Sequence, residues 1–101
     1  MLDNFRAYKL AVNFYRTTTV IKLPKHLKDQ LDRASSSIAL NLAEGRGRST
    51  TKDQKHFFHI AFGSTRECQA ILTLLGHTNC SAWHILDSLA ASLYKLIKNA
   101  I

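Results

Sequence analysis

The sequence predicts an all-α protein, an up-down-up-down antiparallel four-helix bundle. Three observations carry this expectation. Apolar residues recur at spacings of three and four through four segments, which is the period of one helix face. No segment alternates with period two over a useful length, so strands are not indicated. A single proline and four glycines punctuate the chain, and the connections they leave are short, which makes successive helices antiparallel neighbours. A chain of 101 residues fits one domain, taken as residues 1–101. A chain of that size buries only about 60–65% of its unfolded surface, so association with further copies would add stability.

The first segment covers about residues 3–20. Phe5, Tyr8, Val12 and Tyr15 form its expected buried stripe, and Asp3 is a suitable cap for its start. Thr17, Thr18, Thr19 and Val20 weaken its end, because branched side chains lose rotamer freedom in a helix. The second segment covers about 24–46. Pro24 suits a first helical turn, where its missing N–H is no loss. Leu27, Leu31, Ala34, Ile38 and Leu42 form the stripe, and Gly45 and Gly47 are candidate stops. The third covers about 51–76. Thr50 and Asp53 resemble a capping box with Asp in place of Glu. Phe57, Ala61, Ser64, Cys68, Ile71 and Leu75 form its stripe, widened by Phe58, Phe62 and Leu72, and Gly76 ends it. The fourth covers about 82–99, with Ser81 as cap and Leu86, Leu89, Leu93 and Leu96 as stripe, flanked by Ile85, Ala90 and Ile97. Phe58, Phe62, Trp83 and Tyr94 exceed a single seam and are expected outside the intramolecular core.

Small residues crowd the middle of the second and third helices: Ala34, Ser35, Ser36, Ser37, Ala39 and Ala43, then Gly63 and Ser64. Small side chains let backbones approach closely, and serine hydroxyls bond back to the preceding turn. Ser35–Ser37 and Gly63 are therefore expected at close helix contacts, within the bundle or between subunits. Glu44 lies three residues after Asn41 in an apolar neighbourhood, and a buried carboxylate needs a partner. Arg48, Arg33, Arg46 and Arg66 are the candidates, and Arg33, Asn41, Glu44 and Glu67 are expected to form a structural polar network.

The chemistry of a catalytic site is not indicated, and a non-enzymatic protein is expected. No G-x-S-x-G turn surrounds the serines. His56 and His59 share a helix face, but no H-E-x-x-H or cysteine pair completes a zinc set. Neither Glu44 nor Glu67 has a histidine three residues later, as a di-iron bundle requires. No metal and no cofactor is expected. Cys68 and Cys80 lack a CxxC pattern and read as reduced thiols of a cytoplasmic protein. No apolar run reaches the roughly 18–20 residues of a membrane span, and the N-terminus lacks the pattern of a secretory signal.

Charge is the remaining signal. The net charge is +7, and residues 1–66 hold 12 of the 14 Lys and Arg against five acids. Such an excess is a footprint for a nucleic acid, RNA or DNA, or for an acidic protein. Arg46, Arg48, Lys52 and Lys55 straddle the turn between the second and third helices and are expected at one end of the bundle. Lys22, Lys25 and Lys28 lie at the start of the second helix, near the opposite end. Lys9 and Arg16 lie seven apart on the first helix and are placed to extend a stripe between the ends. Two functions stand: a basic nucleic-acid-binding module, or a protein-interaction scaffold with an acidic protein partner and no direct nucleic-acid role.

The stretches SSSIALNLAEGRGR and FFHIAFGSTRE, with N-x-A-E-G-x-G-R and A-x-G-S-x-x-E inside them, closely resemble the bacterial four-helix-bundle family of ribosomal RNA intervening-sequence proteins. The similarity runs from FRAYKLAVNFYR to LYKLIKNA. The accessory variability determinant (Avd) of diversity-generating retroelements is a more distant relative. The resemblance implies a homopentameric barrel with a basic surface, a role in nucleic-acid binding and no catalytic residues. In the retroelement relative the barrel binds a reverse transcriptase and RNA. The resemblance therefore further implies an accessory subunit of a reverse-transcriptase or RNA-processing complex, with a reverse transcriptase or another protein as partner.

Overall fold

Local chemistry sets where each helix starts and stops. In the computed structural model, which describes residues 5–99, α1 runs Arg6–Thr18, α2 Lys25–Arg46, α3 Thr51–Leu74 and α4 Ser81–Asn99. Helix α1 is shorter than expected at both ends. Phe5, in extended conformation, occupies its N-cap position, and the cap expected of Asp3 lies outside the described residues. At the other end the hydroxyls of Thr17, Thr18 and Thr19 donate to the carbonyls of Asn13, Tyr15 and Arg16 at 2.7–2.8 Å. These local bonds compete with helix continuation. Pro24 sits one position before the first turn of α2, with an extended ψ of 143°, and its carbonyl accepts from the Leu27 and Lys28 amides.

The Thr50 hydroxyl accepts from the Asp53 amide at 3.1 Å and caps α3 as expected. Gly76 stops it with φ +74°, a left-handed conformation that glycine adopts without steric cost. Around it the His77 amide donates to Leu72 at 2.8 Å and the Gly76 amide to Thr73 at 3.1 Å, which satisfies two orphan carbonyls of the last turn. Ser81 is the first residue of α4 rather than its cap. The Cys80 carbonyl, which accepts from the His84 amide at 3.2 Å, stands at the cap position instead.

Each helix packs on its sequence neighbours, α4 closes back on α1, and the α2–α3 interface is the most extensive. The molecule measures 40 × 22 × 21 Å. Its long axis matches the roughly 36 Å that the 24 residues of α3 span at about 1.5 Å per residue. Among the described residues there is no strand, and the arrangement is the expected antiparallel four-helix bundle.

On α2, α3 and α4 most of the buried residues are those of the expected stripes: Leu31, Ala34, Ile38 and Leu42, then Ala61, Cys68, Ile71 and Leu72, then Leu86, Leu89 and Leu93. Thr65 and Ala82 are buried outside the expected stripes, and Leu27, Phe57, Ser64, Leu75 and Leu96 are only half-buried. Helix α1 is turned from its expected face. Ala7, Ala11, Phe14 and Thr18 are buried, while Tyr8 and Val12 are half-buried and Tyr15 is exposed. Two alanines let α1 settle close to its neighbours, and Phe14 then fills the depth that Tyr15 was expected to fill. Phe58 also departs from expectation. It is 2% exposed and belongs to the core, whereas Tyr94 is 61% exposed.

The serine expectation holds across α2 and α3. Ser35 is buried, and Ser37 Oγ and Ser64 Oγ share a hydrogen bond of 2.9 Å between the two helices. Ser36 is half-buried and donates back to the Arg33 carbonyl at 3.0 Å. The glycine expectation does not hold within the chain. A Cβ on Gly63 would meet nothing within 4 Å. The close crossing is at Gly45, where a Cβ would stand 2.7 Å from Phe58 Cε1 and 3.0 Å from Phe57 Cβ. Gly45 therefore lies inside α2 as a packing residue, and Gly47 alone is the C-cap.

Both cysteines are free thiols. Burial, with the Glu67 carboxylate adding to it, pushes the Cys68 thiol up from 9.0 to about 12, so it stays protonated and unreactive in the fold.

Candidate nucleic-acid interface

The antiparallel order brings the start of α1, the end of α2, the start of α3 and the end of α4 to one end of the bundle. Phe5 ties three of them together. Its ring centroid lies 6.3 Å from that of Phe58, and the Arg46 guanidinium lies 4.9 Å above its ring. Arg46 is thus fixed at this end, where a cation at a helix C-terminus is also favoured by the peptide dipoles.

Arg48 is more committed. Its guanidinium lies 4.7 Å over the Phe57 ring and pairs with Glu44 at 2.7 Å. Both side chains of that pair are about half exposed, so the pair adds at most about 1 kcal/mol. Lys52 is exposed and Lys55 half-buried, both near the first turn of α3. A cation at a helix N-terminus works against the dipole by about 0.3–1 kcal/mol at low salt. Helix stability therefore gives no reason for the position of Lys52, the second residue of α3.

The far end differs. Lys22 is exposed between α1 and α2, but Lys25 pairs with Asp29 at 3.2 Å and Lys28 with Asp32 at 2.6 Å. The acid one turn on offsets both lysines, and the structure does not join these three residues to the Arg46 end.

Lys9 and Arg16 are exposed on one face of α1 and border a shallow groove of about 330 Å³ that Asn13 shares. Arg6 extends the row, since Arg6, Lys9 and Asn13 line the next groove, of about 310 Å³. Sequence reasoning missed Arg6, although the 6, 9, 13, 16 spacing was there to find. It also missed Lys95, which lies in the third of the chain where charges balance. Arg6, Arg46 and Lys95 line an open cleft of about 430 Å³ at the basic end, with Phe5, Ser92 and Asn99.

The expected polar network is not formed. Asn41 Nδ2 donates to the Ser37 carbonyl at 2.9 Å and to Ser37 Oγ at 3.0 Å, so Asn41 completes the serine contact between α2 and α3. Glu44 is exposed and turns to Arg48. Arg33 and Glu67 are exposed and have no hydrogen bond to either. Arg66 donates to Gln69 at 3.2 Å, not to Glu44. Apolar sequence neighbours did not bury Glu44, because residues one position away lie on other faces of a helix.

Among the described residues, no three His, Cys, Asp or Glu side chains converge on a point, and no helix is long and apolar enough to cross a membrane. No curated protein and no solved structure matches the chain. Residues 5–100 match the family described as 23S rRNA-intervening sequence protein, and with nearly the whole length covered, the chain belongs to that family.

Proposed function

We propose that the chain is a non-enzymatic, oligomeric RNA-binding module that grips phosphates with the basic end of its bundle and the exposed face of α1. The observation that carries this reading is that Lys52 and Lys55 stand near the start of α3 without an ion pair of their own among the described residues, with Lys52 in the first turn against the helix dipole. The family's description links it to 23S rRNA, which favours RNA over DNA. Aromatic rings at the basic end are covered by Arg46 and Arg48 rather than open to bases. Binding is then mainly to phosphates, with little sequence preference and steep salt dependence.

The test removes Lys9, Arg16, Lys52 and Lys55 together by substitution with glutamine and leaves the ring-stacked arginines in place. Each lost phosphate contact on a single strand lowers the salt slope by about 0.7. The variant should lose about 3 in slope and on the order of 500-fold in affinity at 0.1 M salt. A folded variant that binds RNA like the parent at low salt refutes the placement.

The oligomer is proposed as a homopentamer, the number resting on the family resemblance. Exposed Leu40, Ile60, Leu74 and Tyr94 supply apolar surface for such contacts. Light scattering at micromolar concentration should give a mass near five times 11.4 kDa, and a stable monomer rules it out. A protein partner, an acidic protein or a reverse transcriptase, is the second reading. The groove of about 270 Å³ between α3 and α4, lined by His59, Phe62, Tyr94, Ile97 and Lys98, favours it. A parent that binds neither RNA nor DNA selects it.

A further inference from the structure

We propose that the cleft between the start of α1 and the ends of α2 and α4 is a phosphate pocket, in which Arg6, Arg46 and Lys95 hold a phosphate group of an RNA strand. The inference deepens the RNA-binding reading and rests on it only for the carrier of the phosphate.

Three cations from three helices face one concavity, and among the described residues no acid lines it. Without an anion they repel one another, and an anion between them removes that repulsion. Helix electrostatics explain only part of the arrangement. Arg46 ends α2, where a cation is favoured, but Lys95 stands before the last turn of α4 and Arg6 is the first residue of α1, where a cation is disfavoured. The carbonyl ends of α2 and α4 are offset by the amide ends of α1 and α3 at this end of the bundle, so the helix dipoles do not balance three full positive charges.

The donors also suit a tetrahedral oxyanion. Arg46 is held 4.9 Å over the buried Phe5 ring, so its planar fork is ordered before a ligand arrives and less rotamer freedom is lost on binding. Lys95 adds a point charge, and Ser92 and Asn99 add neutral donors at the rim. A volume of about 430 Å³ lies in the small-ligand range and admits a phosphate with its sugar. Arg6 also borders the groove that continues to Lys9 along α1, so a strand seated in the cleft meets its next cation there.

The test titrates the ¹⁵N-labelled full chain with inorganic pyrophosphate, with hexauridylate RNA carrying a 5′-phosphate, and with the same RNA ending in a 5′-hydroxyl. The Ser92 and Asn99 amides should shift and saturate with each. Arg6→Gln/Lys95→Gln should weaken RNA binding about 20-fold at 0.1 M salt, the effect of two lost single-strand contacts. Lys22→Gln/Lys25→Gln removes the same charge from the far end and should have a much smaller effect. Tighter binding of the 5′-phosphate form assigns the pocket to a strand end, and equal binding assigns it to an internal phosphate. Pyrophosphate shifts without RNA binding keep the pocket and remove the RNA reading. RNA binding without shifts at Ser92 and Asn99, or equal losses in the two double variants, overturns the pocket and leaves the RNA reading. Binding of neither probe overturns both.

Discussion

Gly45→Leu is expected to cost about 3 kcal/mol or more, the upper part of the range for overpacking a close contact. Even the first atom of a side chain would stand 2.7 Å from Phe58 Cε1 and 3.0 Å from Phe57 Cβ. Phe58 cannot swing aside cheaply, because it is 2% exposed and packs on Phe5 as well. Alanine gains about 1 kcal/mol of helix propensity over glycine, so Gly45→Ala should be milder, yet still destabilising. Gly63→Ala reverses the sign. Nothing lies within 4 Å of its Cβ position, so the propensity gain of up to about 1 kcal/mol stands unopposed within the chain. Urea unfolding at one fixed protein concentration separates the three. A Gly45→Leu midpoint equal to the parent's contradicts the crossing described here.

Phe14→Ala is expected to cost about 3–5 kcal/mol, as truncation of a buried aromatic does, while Tyr15→Ala should cost clearly less. Phe14 is fully buried and Tyr15 is 38% exposed. For a domain of this length each 1 kcal/mol moves the melting temperature by about 4–8 °C, so the two variants are easily told apart by calorimetry. Equal losses would return α1 to the face that Tyr8, Val12 and Tyr15 share.

That reversal on α1 shows where the sequence stops being legible. Regular apolar spacing marks the core of α2, α3 and α4, although Leu40, Ile60 and Leu74 stand exposed on the same helices. On α1 a row of large residues stands beside Ala7, Ala11 and Phe14, and size alone favours the wrong row. What decides is how near the neighbouring backbones come, which alanine permits and which pattern does not reveal. Gly45 is a similar case. A glycine near a helix end reads as a stop, and only the Phe58 ring against it shows a crossing. The cations were legible as residues but not as groups. Pairing with Asp29 and Asp32 sets Lys25 and Lys28 apart, and the tertiary approach of α4 to α1 brings Lys95 to Arg6.

The α2–α3 interface has a kinetic consequence. It is the most extensive in the bundle, and its helices are joined by residues 47–50 alone, so its closure loses little chain entropy. The contact of α4 with α1 joins the two ends of the chain and must close a loop through everything between. The α2–α3 hairpin is therefore expected to dominate the folding transition state, with α1 docking afterwards. The two destabilised variants then fail in different ways: Gly45→Leu slows refolding, whereas Phe14→Ala leaves refolding nearly unchanged and speeds unfolding. The opposed arms of their chevron plots would record the order in which the bundle assembles.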